Sequence, residues 1–121
     1  MVLIAEDEES NYLFMQAALE IMGYHYIHVT NGADAVEICK QKESISLVLM
    51  DIKMPVMNGI EATELIHASR PDLPIVAITA YAQTGDEQRF LEAGFNGYLA
   101  KPVIKEDLQT LLQKYLHPAG G

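Results

Sequence analysis

The chain has a single cysteine, Cys39, so it cannot close an internal disulfide. That fits a reducing compartment, and the expected setting is the cytoplasm. Basic residues are scarce: eight Lys and Arg stand against seventeen Asp and Glu, a formal net charge of −9. A nucleic-acid surface needs clustered cations, so direct nucleic-acid binding is not expected. No apolar run approaches the roughly 20 residues that span a bilayer, and no signal peptide is visible. No membrane contact by this domain is therefore expected. Repeats, linkers and low-complexity stretches are missing too. The four histidines, His25, His28, His67 and His117, are scattered without metal-ligand spacing and read as surface or strand-edge residues.

What is present is a globular composition: 121 residues, half of them hydrophobic, enough for one domain with a core of its own. The chain is organised around Leu47-Val48-Leu49-Met50-Asp51. Consecutive apolar residues in so short a run indicate a strand covered on both faces, as in a parallel sheet. Pro55 and Asn58-Gly59 follow as turn chemistry, so the strand must stop near Asp51. Other runs end in the same way. Val2-Leu3-Ile4-Ala5 runs into Glu6 and Asp7, Ile75-Val76-Ala77-Ile78 into Thr79-Ala80, and Gly97-Tyr98-Leu99-Ala100 into Lys101-Pro102. In open parallel sheets, ligands sit beyond the carboxyl ends of the strands. One sheet edge would then carry Glu6, Asp7, Asp51, Thr79 and Lys101: three carboxylates, a hydroxyl and an ammonium. That donor set suits a divalent cation and a phosphoryl group.

Between the strands, helical periodicity predicts helices over residues 10–22, 33–42, 59–69, 83–93 and 104–116, with Gly23 and Gly94 as C-terminal stops. A strand is predicted over Tyr26-Ile27-His28-Val29. In the first helix, Phe14, Met15, Ala18, Leu19 and Met22 are expected to face the sheet. Leu13, Ala17 and Ile21 form a second apolar stripe beside them. Cys39 is expected to be a small core hydrophobe. Five strands alternating with five helices, joined by right-handed crossovers, make an α/β doubly wound parallel sheet.

These motifs resemble the receiver domain of two-component response regulators. The resemblance runs from Val2 to about Leu116. It rests on Glu6-Asp7, Met50-Asp51, Met54-Pro55, Asn58-Gly59, Thr79-Ala80 and Tyr98 three residues before Lys101-Pro102, all in order at strand ends. The stretch Met54-Pro55-Val56-Met57-Asn58-Gly59-Ile60-Glu61-Ala62-Thr63 is most similar to receivers attached to hybrid sensor histidine kinases. The resemblance implies a flavodoxin-like (βα)5 fold with strand order 2-1-3-4-5. It implies a receiver domain over residues 1–116 and a tail over 117–121. The chain would be a single-domain regulator or a domain excised from a hybrid kinase.

The resemblance also implies chemistry. Asp51 would accept a phosphoryl group from phosphohistidine. Asp7 and Asp51 would bind Mg²⁺ (or Mn²⁺) directly, Glu6 through water, and Lys53 through its backbone carbonyl. Glu6 departs from the commoner Asp. Lys101 would hold phosphoryl oxygens, after which a cis Lys101-Pro102 bond is expected. Thr79 would hydrogen-bond the phosphoryl group, Ala80 would leave room for it, and Tyr98 would swing inward when Thr79 moves. Tyr81 and Lys53 would tune the lifetime of the acyl phosphate. The expected partner is a histidine kinase or histidine phosphotransfer domain, with a weak homodimer also allowed. The domain would phosphorylate and dephosphorylate itself rather than act as an enzyme on other substrates.

Other readings exist. A phosphatase of the haloacid dehalogenase type also uses an Asp after a strand with Mg²⁺, but Lys53 stands where its second acid belongs. A flavin-binding module would need a phosphate cradle where Glu6, Asp7, Glu8 and Glu9 would repel the ligand. A pseudo-receiver would bind partners without being phosphorylated.

Overall fold

The computed structural model describes residues 1–80 and 86–116, with the side chains of Asp86 and Glu87 left aside. Strands and helices alternate: β1 (Val2–Ala5), α1 (Glu9–Met22), β2 (Tyr26–Val29), α2 (Gly32–Gln41), β3 (Leu47–Asp51), α3 (Gly59–Ser69), β4 (Ile75–Thr79), α4 (Asp86–Glu92), β5 (Gly97–Ala100) and α5 (Lys105–Tyr115). The strands form one parallel sheet in the order β2-β1-β3-β4-β5. The expected α/β doubly wound topology is therefore the observed one. The expected residues 83–85 of the fourth helix, Tyr81, His117 and the tail 117–121 lie outside the described residues.

β1, β3 and β4 are buried along their whole length, which is why they read as continuous apolar runs. Their side chains alternate between two cores. On one face, Leu3, Val48, Met50, Ile75 and Ala77 pack with Val36, Cys39, Ala62, Ile66 and Phe90 from α2, α3 and α4. On the other, Ile4, Leu47, Leu49, Val76 and Ile78 pack with Met15, Leu19, Leu108 and Leu112 from α1 and α5. Cys39 is the buried hydrophobe expected of it, and burial pushes its thiol up to about 11, so it stays protonated and unreactive.

Helix ends follow local chemistry. The Asn31 and Asn58 side chains accept hydrogen bonds from the Asp34 and Glu61 amides at 2.8 and 2.9 Å, capping α2 and α3. Gly23 closes α1 with φ 82, a conformation that glycine reaches without a side-chain clash. α2 ends on a clamp the sequence did not announce. The Arg70 guanidinium donates to the carbonyls of Cys39, Lys42, Glu43 and Ile45, the last at 2.7 Å. It satisfies carbonyls that the end of a helix leaves without partners.

Two expectations need correcting. Phe14 does not face the sheet; it is 39% exposed and joins Leu13 (48%) and Ile21 (73%) on the outer side of α1. The inner side is full once Met15, Ala18 and Leu19 are buried. β4 also runs one residue further than its apolar run, because Thr79 pairs with Ala100, whereas β3 ends at Asp51 as expected. Asp51 and Thr79 thus belong to the ladder itself.

One buried polar atom works against stability. Thr63 is fully buried on α3, and its Oγ1 has no hydrogen-bond partner among the described residues. A buried hydroxyl left unpaired costs about 1–3 kcal/mol. Thr63→Val keeps the shape and removes the hydroxyl, so the urea midpoint is expected to rise by an amount equivalent to about 1 kcal/mol. A lower midpoint would show that the hydroxyl has a partner in solution.

Candidate functional site

The register sets the carboxyl ends of β1, β3, β4 and β5 side by side: Ala5 lies opposite Met50, Asp51 opposite Ile78, and Thr79 opposite Ala100. The residue after each strand, or its last one, therefore faces a common edge. Glu6, Asp7 and Asp51 each bring one carboxylate oxygen to within 4.8 Å of the others. Among the described residues this is the one such group of potential metal ligands. Lys101 Nζ lies 3.4 Å from Glu6 Oε1 and 3.3 Å from Asp51 Oδ1. Of the expected set, Glu6, Asp7, Asp51 and Lys101 are thus brought together.

Burial differs sharply across the cluster. Glu6, Asp51 and Thr79 are buried, Lys101 is partly buried, and Asp7 reaches solvent. Glu6 Oε2 accepts from the Glu8 amide at 3.2 Å, whereas the buried Oε1 has no hydrogen-bond partner among the described residues and lies 3.4 Å from the Lys101 ammonium. Burial, then the neighbouring Asp51 carboxylate, push the Glu6 carboxyl up to about 8, against the Glu8 amide and Lys101. Asp7 is also raised, by burial and by Asp51. Burial alone would lower the Lys101 ammonium, but the charges of Glu6 and Asp51 outweigh it and raise the group. One ammonium therefore serves two carboxylates at hydrogen-bonding range. A second positive charge, from a bound cation, fits this donor set, and the orphaned Glu6 oxygen is a ready ligand.

The loop after Asp51 is held tightly. The Lys53 amide approaches Asp51 Oδ1 at 3.4 Å. The Gly59 amide donates to the Ile52 carbonyl at 2.9 Å, and a Cβ on Gly59 would overlap the Asp51 carbonyl. The Gly32 amide at the start of α2 donates to the Met57 carbonyl at 3.0 Å. Between these anchors the Met57 amide turns back to the Pro55 carbonyl at 2.7 Å, across Val56 with φ 69. Positive φ in a β-branched residue is strained, and such strain gathers where a loop must hold one shape. Beside Asp7 this loop forms an open cleft of about 570 Å³, whose lining includes Lys53, Asn58 and Arg89. Arg89 had no sequence signal, because only the folded position of α4 brings it there.

The remaining expected residues stand around this centre. Thr79 ends β4 and is buried. Ala80 follows it in an exposed turn. Tyr98 points outward, 37% exposed, with its ring 6.2 Å from that of Phe90. Lys101-Pro102 is cis, as expected. Tyr81 lies outside the described residues. No helix among the described residues is long and apolar enough to cross a membrane.

Comparison with known proteins agrees with this geometry. The family profile "Response regulator receiver domain" matches residues 2–113. Over 122 residues the chain is 41% identical to the signal transduction histidine-protein kinase BarA of Escherichia coli K12, covering 99% of this chain and 13% of BarA. It thus spans about an eighth of that relative's length. Among solved structures, the receiver domain of sensor histidine kinase PA1611 from Pseudomonas aeruginosa PAO1 has a TM-score of 0.86 at 37% identity, covering 94% of each chain. That structure has a magnesium ion coordinated in its active site cleft. The receiver domain of Ssk1 from Saccharomyces cerevisiae, solved with the histidine phosphotransfer protein Ypd1, has a TM-score of 0.86 at 30% identity, over 94% of this chain and 86% of that one. With a profile that spans nearly its whole length, this chain belongs to the response regulator receiver domain family.

Proposed function

We propose that this domain is the phosphoacceptor of a two-component phosphorelay, taking a phosphoryl group from a phosphohistidine onto Asp51 in a Mg²⁺-dependent step. The receiver unit runs over residues 1–116, with 117–121 as a tail, and works in the cytoplasm. The observation that carries the reading is the convergence of Glu6, Asp7 and Asp51 around a single ammonium, Lys101. In the transfer, an Asp51 oxygen forms a bond to phosphorus as the phosphorus–nitrogen bond of the donor breaks. The imidazole leaves with the electron pair and takes up a proton. A carboxylate attacking an anionic phosphoryl group meets like-charge repulsion, so catalysis depends on positioning and charge neutralisation. Mg²⁺ held by Asp7 and Asp51, with Glu6 and the Lys53 carbonyl completing the protein share, supplies that neutralisation when bound. Lys101 adds a point charge on the phosphoryl oxygens. The Thr79 hydroxyl donates to them, Ala80 leaves the space open, and Tyr98 turns inward as Thr79 is drawn to the phosphoryl group.

Incubation with acetyl phosphate and Mg²⁺ should add the mass of one phosphoryl group, mapped to Asp51 and removed by hydroxylamine. Labelling that ignores chelator, or that maps elsewhere, would defeat the reading. The phosphatase alternative predicts continuous turnover of phosphomonoesters. It lacks a general acid two residues after Asp51, where Lys53 stands.

The partner reading rests on α1. Leu13, Phe14 and Ile21 are exposed on one helix, with Ala17 between them as a small residue that lets another helix approach. A histidine phosphotransfer domain docking there would carry its phosphohistidine towards the edge where β1 and β3 end. Ala17→Glu would place a charge inside that contact and should slow transfer from such a domain by about tenfold or more. Labelling by acetyl phosphate should stay as it was. Equal loss of both would indicate a damaged fold, and loss of neither would remove α1 from the interface.

A further inference from the structure

Glu6 and Asp7 are neighbours in sequence, yet their carboxylates converge on one point. Along an extended strand, successive side chains point to opposite faces. The chain must therefore turn at the peptide joining them, and something must hold that peptide turned. Its carbonyl, the Glu6 oxygen, is met by His28 Nε2 at 2.7 Å. A carbonyl oxygen only accepts, so Nε2 carries the hydrogen and donates.

His28 is itself held on two sides. It lies on β2 opposite Ile4 of β1, near the end of the ladder, since β2 stops at Val29. Its ring stacks on Tyr12 of α1, with centroids 3.6 Å apart and planes within 6° of parallel. Tyr12 in turn is tied to the same loop, because its amide donates to the Glu8 carbonyl at 3.1 Å. An aliphatic side chain at position 28 could pack on Tyr12 equally well, but it would leave the Glu6 carbonyl without this donor.

We propose that His28 is a positioning residue for the acidic cluster: its Nε2–H, sandwiched against Tyr12, holds the Glu6–Asp7 peptide in the orientation that aims both carboxylates at the metal site. This rests on the Mg²⁺ reading above. Groups that orient a ligand from behind commonly change metal affinity about 10–100-fold when removed.

The test compares native protein, His28→Leu and His28→Gln by Mg²⁺ calorimetry, with urea melts in chelator as the control on folding. His28→Leu should weaken Mg²⁺ binding about tenfold while remaining folded. His28→Gln, whose amide nitrogen reaches nearly the same place, should restore most of the loss. Native-like affinity in His28→Leu, or a glutamine variant as weak as the leucine one, would overturn the proposal. Should His28→Leu fail to fold, nitrogen NMR of the native protein decides: neutral His28 must carry its hydrogen on Nε2, and that resonance must move on Mg²⁺ saturation. A hydrogen on Nδ1, or no movement, overturns it as well. If the native protein binds no Mg²⁺ at all, the metal reading falls and this inference falls with it; weak binding in all three proteins alike removes only His28.

Discussion

Replacing Asp51 by asparagine is expected to raise the urea midpoint of the metal-free protein while ending Mg²⁺-dependent phosphoryl incorporation. Glu6 and Asp51 are both buried, and both approach the same ammonium at 3.4 and 3.3 Å. Two unit charges 4 Å apart repel by about 4 kcal/mol at an effective dielectric near 20. Most of that is absorbed by Lys101 and by proton uptake at Glu6. A residue of about 1 kcal/mol, the usual scale of a single-site effect, should be relieved in Asp51→Asn. Breaking a buried ion pair normally costs stability because a charge is left without a partner, but here Lys101 keeps Glu6. The gain should therefore be small at pH 6, where Glu6 already holds its proton, and larger at pH 9, where it does not. Saturating Mg²⁺ should reverse the ranking. A ligand at 100 times its dissociation constant adds about 2.7 kcal/mol to the fold that binds it. The native protein should gain close to that and the variant much less. A variant less stable than native in chelator at pH 9, or an equal gain from Mg²⁺ in both, would mean that Asp51 is neither strained nor a ligand.

The site was legible in sequence because each strand is a short apolar run with an abrupt polar end. Val2–Ala5 and Leu47–Asp51 are covered on both faces, so no alternation blurred their limits. The acids and Lys101 then needed only the strand order to converge, and the family resemblance supplied it. What stayed hidden depends on contacts between segments far apart in the chain. Arg70 reaches carbonyls 25 to 31 residues earlier, and nothing local to it marks the end of α2 as its target. In the sequence His28 reads as a surface or strand-edge residue. Its place on β2 agrees, but its bond to the Glu6 carbonyl follows from the parallel register of β2 on β1. Phe14 lies on the outer side against expectation for a related reason. On α1 it adjoins both the inner residue Met15 and the outer residue Leu13, and periodicity alone does not say where the sheet-facing side ends.

The metal-free protein is also expected to lose stability as pH rises from about 4.5 to about 8, and Glu6→Gln should remove much of that loss. The Glu6 carboxyl has an ordinary value of 4.5 and is raised to about 8 in the fold. Between these values the native state holds a proton that the unfolded chain has released. Stability changes with pH in proportion to protons bound unfolded minus protons bound native, which is negative here, so it falls with rising pH. Below 4.5 both states are protonated and Glu6 contributes no slope; above 8 both are ionised and the slope ends. The cumulative effect is on the order of a few kcal/mol. Asp7, raised in the same direction, adds to it. Lys101, raised from 10.5, contributes stability that is lost only at higher pH, outside this window. The informative quantity is the difference between native protein and Glu6→Gln at each pH, because contributions common to both cancel. Glutamine keeps the length of the side chain and cannot ionise, so the two curves should meet near pH 4.5 and separate towards pH 8, with the variant the more stable. Mg²⁺ competes with the Glu6 proton, so native Mg²⁺ affinity should climb over the same interval, and the variant should climb less. Urea melts and calorimetry at several pH values, with and without chelator, measure both. Parallel stability curves, or Mg²⁺ affinity in the native protein that is flat from pH 5 to pH 8, would mean that Glu6 is ionised throughout and that the cluster carries its full charge without metal.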